Sequence, residues 1–234
     1  MAKLHIVQHD PWVGPGEYLA WAVRNGYEIS MTKCWEQETF PQDGAADLLV
    51  ILGGHQRPST IKEECPYFDA AQEMAFIRRY VDAGKAVVGV CLGAQLLGEA
   101  LGGTFSRSPE PEIGPVQARL TEAGRRDPLL NGFPDTFSAG EWHGDMPGLT
   151  KEAVILAESD GCPRQIVRYG ERVYGFQTHM EFTPEIIAQC VEKAGNSLAA
   201  GGRFIQTKEE LLSFDYTEMN RQLDSFLDAL MEER

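Results

Sequence analysis

The stretch AVVGVCLGAQLLGEALGG, residues 86–103, starts as a β-branched apolar run and continues as helix-forming sequence, with Cys91 at the joint between Gly89 and Gly93. AVVGV, residues 86–90, has the length and branching of a buried parallel strand. A nucleophile on a sharp strand-to-helix turn is pushed out of the sheet in a strained backbone conformation, and residues two positions away must be small to avoid collision. Gly89-Val90-Cys91-Leu92-Gly93 meets that demand as a cysteine counterpart of the G-x-S-x-G elbow. The turn sets the sulfur at a helix N-terminus, where unpaired N–H groups favour the thiolate. The Leu92 N–H then points toward any oxygen that becomes negative when Cys91 attacks a carbonyl, which is half of an oxyanion hole. A cysteine after a buried strand is also an ordinary small core residue, so its partners decide between the two readings.

Outward from this joint, LHIV at 4–7 and DLLVIL at 47–52 are further short apolar runs of buried-strand type. From Phe68 to Val81 apolar residues recur at helical spacing, and Gly84 follows where a helix would stop. Beyond the elbow, GPVQARL (114–120), AVILAE (153–158), QIVRY (165–169) and RVYGFQTH (172–179) read as strands, the last two joined as a hairpin through Gly170-Glu171. Thr183 is an N-cap and Pro184 a first helical residue for a helix through Leu198, and an amphipathic stretch from Tyr216 to Met231 closes the chain. This order predicts an α/β fold: an open, mostly parallel central sheet flanked by helices on both faces, with a smaller antiparallel strand element and a C-terminal helical tail. Ligands of such sheets gather beyond the carboxyl ends of the strands, where Cys91 falls.

The 234 residues, 43% of them hydrophobic, predict a single domain over 1–234, with its core at about 47–185 and a helical tail from about 199. A net charge of −14 opposes a polyanion-binding surface, so nucleic acid is not an expected partner. No apolar stretch reaches the roughly 20 residues of a membrane span, and no basic-then-apolar signal precedes the first apolar run. The expectation is a soluble, cytoplasmic protein without a membrane partner. Five scattered cysteines without a C-x-x-C pair argue against a disulfide framework or a zinc site. Neither G-x-x-x-x-G-K-[ST] nor G-x-G-x-x-G occurs, and the expected chemistry calls for no cofactor and no metal.

A cysteine nucleophile needs a base, and the base benefits from a third group that fixes its tautomer. In GFQTHMEFTPE, His179 ends a predicted strand and Glu181 stands two positions on, on the same face of an extended chain. Glycines after DLLVIL, Gly53 and Gly54, allow the close backbone approach that a second oxyanion donor requires.

These pieces, in this order, resemble the class I glutamine amidotransferase family, which includes the amide-hydrolysing part of GMP synthetase. The residues that carry the likeness are LGG (52–54), GVCLGAQ (89–95), WHGD (142–145) and GFQTHME (175–181). EIGPV (112–116) and CPRQ (162–165) bring the likeness nearest to stand-alone GMP-synthetase-like members. The resemblance implies a flavodoxin-like glutaminase fold, with Cys91 as nucleophile, His179 as base and later acid, and Glu181 as orienting carboxylate. It implies oxyanion donors in the Gly54 and Leu92 N–H groups. Gln95 would contact substrate, and Trp142, Gly144 and Asp145 would form a loop gripping the α-amino and α-carboxyl groups of glutamine or a related γ-glutamyl compound.

Two departures from the family pattern stand out: His55 replaces the proline usual after the second loop glycine, and Met180 the proline usual between His and Glu. His143 travels with WHGD, whereas His5 and His9 show no partner in the sequence and read as structural. Cys34, Cys65 and Cys190 read as core or surface thiols, and Cys162 as one that could border the site. Three functions stay open: glutamine hydrolysis with transfer of ammonia to a separate synthase, free-standing hydrolysis of γ-glutamyl amides or peptides, and a noncatalytic binding or regulatory domain that keeps the fold.

Overall fold

Residues 86–90 form β4 (Ala86–Val90), and Cys91 caps the helix that follows, α3 (Leu92–Ala100), at φ 51° and ψ −109°. The two flanking glycines are there for space. A Cβ on Gly89 would lie 2.5 Å from the Gly93 carbonyl oxygen, and one on Gly93 would overlap the Ile51 carbonyl of the neighbouring strand. Gly93→Ala is therefore expected to cost about 3 kcal/mol or more, read as a shift in denaturant midpoint; an unshifted midpoint would show that the turn can relax.

The computed structural model describes residues 1–42, 44–195, 198 and 201–232. Before β4 come β1 (Lys3–Gln8), α1 (Gly16–Arg24), β2 (Glu28–Lys33), β3 (Leu48–Ile51) and α2 (Ala70–Asp82). After α3 come β5 (Ser106–Leu120), β6 (Thr136–Met146), β7 (Val154–Glu158), β8 (Ile166–Gly170) and β9 (Val173–Phe176), then α4 (Pro184–Ala194), β10 (Phe204–Ile205), α5 (Lys208–Ser213) and α6 (Thr217–Glu232). One sheet holds ten strands in the order β10-β5-β7-β8-β9-β4-β3-β1-β2, with β6 beside β5. The half from β9 to β2 is parallel, as is β10 on β5, while β9-β8-β7-β5-β6 is antiparallel.

The inner parallel strands β3 and β4 are apolar and buried on every residue because helices cover both faces. Leu4, Ile6, Leu48, Val50, Ala86 and Val88 point into one core with α1, α4 and α6; Val7, Leu49, Ile51 and Val87 point into the other with α2 and α3. In α6, Leu223, Phe226, Leu227 and Leu230 repeat at helical spacing and are fully buried, with the Phe226 ring edge-on to Tyr174 and Phe176 of β9.

The expected strands and the helix from Phe68 are present, but β5 starts at Ser106 rather than at the expected 114. Four elements escape the sequence pattern, one of them β10, a two-residue strand on β5 within the stretch expected as a helical tail. β2, EISMTK, is an edge strand paired only with β1 and half exposed, so it shows no apolar run. α1 begins at Gly16 (φ 46°), and β6 has little apolar pattern of its own; its state comes from ten registered pairs with β5. WHGD consequently lies on a strand rather than in the loop that the resemblance implied. Thr183 caps α4 through the Ile186 N–H with Pro184 at its first position, but the helix ends at Ala194; residues 196 and 197 of the expected stretch, and 199 and 200 at the start of the tail, lie outside the described residues.

Candidate active site

Cys91 sits at the carboxyl end of β4, with its N–H held by the Phe176 carbonyl of β9 at 2.7 Å. Its side chain belongs to the buried core, yet it opens into a cavity of about 430 Å³ lined also by Trp12, Gly54, Trp142, His179 and Phe182. His179 follows β9 and is fastened to β6: its N–H donates to the Gly140 carbonyl at 2.7 Å, which also accepts from the Thr178 hydroxyl. Its ring stacks on Phe182 at 4.3 Å, and its Nδ1 lies 2.6 Å from Glu181 Oε1. The sequence spacing thus brings the pair together as expected, and the fold brings Cys91 to the imidazole.

The charges follow from that arrangement. Burial opposes ionisation of Cys91, but the His179 and His143 imidazoles and the Leu92 N–H outweigh it, so the thiol lies below its ordinary value. Burial likewise opposes the His179 cation, and the Glu181 carboxylate with the Cys91 sulfur overrides it, raising the imidazole to about 10. The thiol is also directed toward the Trp142 carbonyl oxygen at 4.0 Å. Burial raises Cys34, Cys162 and Cys190, which leaves them inert thiols.

Gly54 and Trp142 line the cavity, as does the half-exposed ring of His55, whose Nδ1 lies 2.9 Å from the buried Asp10 carboxylate. Gln95, Gly144 and Asp145 are not among the lining residues. Gln95 donates to Gln177 Oε1 at 3.1 Å, and Asp145 is held by Arg57 Nε at 2.7 Å and Arg107 Nη1 at 3.3 Å. Cys162 is fully buried away from the cavity, whereas Cys190 borders it. Met180 is a buried core residue. Its carbonyl and that of Phe182 accept from Asn220 of α6, which ties down the loop that a proline would otherwise stiffen.

Sequence reasoning missed Glu112 and Glu141. His143 Nε2 lies 2.9 Å from Glu141 and 3.5 Å from Glu112, all fully buried, and the two carboxylates override burial to raise the imidazole to about 10. Glu112 also accepts from Ser159 Oγ and Gln165 Nε2, both at 2.7 Å. EIGPV, CPRQ and WHGD therefore meet on one buried carboxylate, the signal that would have revealed it. The two histidines read as structural both have partners that the sequence did not show: His9 in Gly53 and Glu73, and His5 in Ser30 and Thr32. Among the described residues, Glu112-Glu141-His143 and His9-Cys34-Glu73 bring ligand atoms close enough to hold a metal ion.

A cysteine on a strand-to-helix elbow, facing a histidine-carboxylate pair at the carboxyl rim of a parallel sheet, places the protein among α/β proteins of nucleophile-elbow architecture. Residues 20–191 match the family described as glutamine amidotransferase class-I, and the chain belongs to that family. It is 47% identical over 231 residues, 97% of each chain, to the glutamine amidotransferase-like protein YfeJ of Salmonella typhimurium. The solved structure of the protein SMU.1228c superposes with a TM-score of 0.96 at 45% identity, covering 98% of this chain and 99% of that one. GMP synthase of Aeropyrum pernix is 41% identical over 102 residues, which are 42% of this chain and 19% of that protein.

Proposed function

We propose that the protein hydrolyses the γ-glutamyl amide of glutamine or a related compound through a thioester on Cys91. The observation that carries this reading is the buried, charge-stabilised Cys91–His179–Glu181 set opening onto a cavity at the sheet rim. The Cys91 sulfur attacks the amide carbon, and the carbonyl oxygen becomes an oxyanion facing the Leu92 and Gly54 N–H groups. The His179 cation gives its proton to the leaving nitrogen as the C–N bond breaks. Water, deprotonated by His179, then adds to the thioester and releases glutamate and the thiolate. Glu181 holds the ring with Nδ1 protonated throughout. Trp142, which lines the cavity, serves the γ-glutamyl head; Gln95, Gly144 and Asp145 lie outside that lining, Asp145 between Arg57 and Arg107, and reach the head only from its far end. A glutamine-derived diazo-ketone is expected to alkylate Cys91 before the other four thiols, and mass mapping of the adduct to Cys34 or Cys162 would refute the assignment.

The cavity favours release of a substituted amine over bare ammonia. At about 430 Å³ it is of ordinary size for a small-molecule site and has to hold the γ-glutamyl head together with its leaving group, so its walls rather than its volume carry this reading. Trp12, Trp142 and Phe182 supply apolar walls, and the Lys193 ammonium sits 4.2 Å from the centre of the Trp12 ring, in reach of a carboxylate at the rim. This supports a free-standing γ-glutamyl peptide or amide hydrolase; the other reading passes ammonia to a separate synthase, as the GMP synthase relatives suggest. A panel of glutamine and γ-glutamyl dipeptides, assayed without a partner, separates them. Apolar or aromatic dipeptides are expected to exceed glutamine in kcat/KM by at least about tenfold, and the reverse order would select the synthase-coupled role. A cytoplasmic setting accords with five free thiols.

A further inference from the structure

His9 is a fully buried imidazole that the proposed reaction does not use. It follows β1 directly, at the carboxyl rim of the sheet, and its two nitrogens face two acceptors: Nδ1 the Gly53 carbonyl oxygen at 3.1 Å, and Nε2 the Glu73 carboxylate of α2 at 2.9 Å. A carbonyl oxygen can only accept, so Nδ1 carries a proton whether or not Nε2 carries another toward Glu73. The edge of Phe68 at 5.9 Å and the Gly54 backbone against its Cβ leave the ring little freedom.

We propose that His9 is a positioning residue that sets the plane of the Gly53–Gly54 peptide and so aims the Gly54 N–H at the oxyanion; the proposal rests on the reaction described above. No peptide among the described residues is cis, and in a trans peptide the C=O and the following N–H point to opposite sides. With the Gly53 oxygen drawn to His9, the Gly54 N–H is turned away from His9, and Gly54 lines the cavity that it shares with Cys91. Glycine on both sides of a peptide leaves it free to rotate, so the loop needs an outside hold. A flipped peptide would present the Gly53 oxygen, a partial negative charge, where negative charge develops. Asp10 secures the next peptide by accepting the His55 N–H at 3.0 Å, itself steadied by the Tyr67 hydroxyl at 2.9 Å. A Cβ on Gly53 would come within 2.9 Å of the His179 ring and 3.3 Å of the Cys91 Cβ, so the loop reaches the reacting groups with no room for a side chain.

The test compares His9→Asn with His9→Gln. The asparagine amide nitrogen reaches about as far from the backbone as Nδ1, and the glutamine one about as far as Nε2. Asparagine thus keeps a donor for Gly53, and glutamine keeps one for Glu73 only. Two chemical probes of Cys91 are used, with labelling of Cys91→Ala subtracted. 4-Nitrophenyl acetate acylates the sulfur through a tetrahedral oxyanion, forming the S–C bond and expelling 4-nitrophenolate with the C–O electron pair. Iodoacetamide alkylates it by direct displacement of iodide and forms no oxyanion. The ratio of acylation to alkylation is expected to fall about a hundredfold in His9→Gln, with alkylation near that of the parent, and to stay within about threefold of the parent in His9→Asn. Equal ratios in both variants, or a parallel fall of acylation and alkylation in His9→Gln, would overturn the proposal. If only one variant folds, its ratio decides in the same way. In the unaltered protein, ¹⁵N spectra of labelled histidine must show a proton on His9 Nδ1, and a bare Nδ1 overturns the proposal without any variant. Because neither probe is a γ-glutamyl compound, failure of the substrate reading leaves this result standing. Labelling that survives Cys91→Ala undiminished would instead refute Cys91 as the nucleophile.

Discussion

Cys91→Ala is expected to lower γ-glutamyl hydrolysis by about 10⁴-fold or more while the protein keeps its fold. Among the other thiols, Cys34, Cys162 and Cys190 are all raised by burial, and Cys34, although beside His9 and Glu73, lies outside the cavity lining, as do Cys65 and Cys162. The residual rate would come from the oxyanion donors and substrate positioning, which act together with the nucleophile rather than additively. The fold should survive because alanine keeps the Cβ that the positive-φ elbow already accommodates. Melting temperature and released ammonia or amine are the paired measurements. Undiminished turnover would end the nucleophile assignment, and loss of turnover together with loss of the folded transition would leave the role of the sulfur undemonstrated in favour of a structural one.

Glu181→Gln is expected to lower kcat by about 10²- to 10⁴-fold and to move the alkaline limb of the pH profile downward. Glu181 accepts the hydrogen bond of His179 Nδ1–H at 2.6 Å inside the core. A glutamine amide can turn its NH₂ toward that nitrogen and select the tautomer whose Nε2–H faces the sulfur. The sign of the pH effect follows from the charges. His179 is raised to about 10 despite burial, chiefly by the Glu181 carboxylate, so the cation that protonates the leaving nitrogen persists through neutral pH and is lost as pH rises through that value. Without the carboxylate, burial dominates and the cation is lost at lower pH. The two steps belong to the Cys91–His179 pair as a unit. Profiles of kcat/KM for parent and variant check this, and an unmoved alkaline limb would exclude Glu181 as the group that sustains the cation.

The centre of this molecule is legible in the sequence because its signals are local. The β-branched run of β4, the glycines two positions from Cys91, the i and i+2 spacing of His179 and Glu181, and the Thr183-Pro184 cap each act within a few residues. What escaped notice acts at a distance. β6 has a mixed composition, yet its pairing with β5 carries WHGD past the sulfur as a strand. Asn220 and Met219 of α6 hold the His179 loop and Gly140 from about forty to eighty positions away, so the helical tail braces the site rather than merely following it.

By itself the sequence determined the buried parallel strands, the strained elbow that lifts one thiol to the sheet rim, and the histidine and carboxylate that share a face downstream, since each depends on side-chain periodicity or on the absence of a Cβ. Only the tertiary structure decided which charged groups face that thiol, the aromatic cavity beside it, and the hold of His9 on the Gly53 carbonyl, 44 positions away. These depend on strand order: the carboxyl ends of β1, β3, β4 and β9 become neighbours only once the sheet has formed, and no spacing along the chain encodes which side chains then meet.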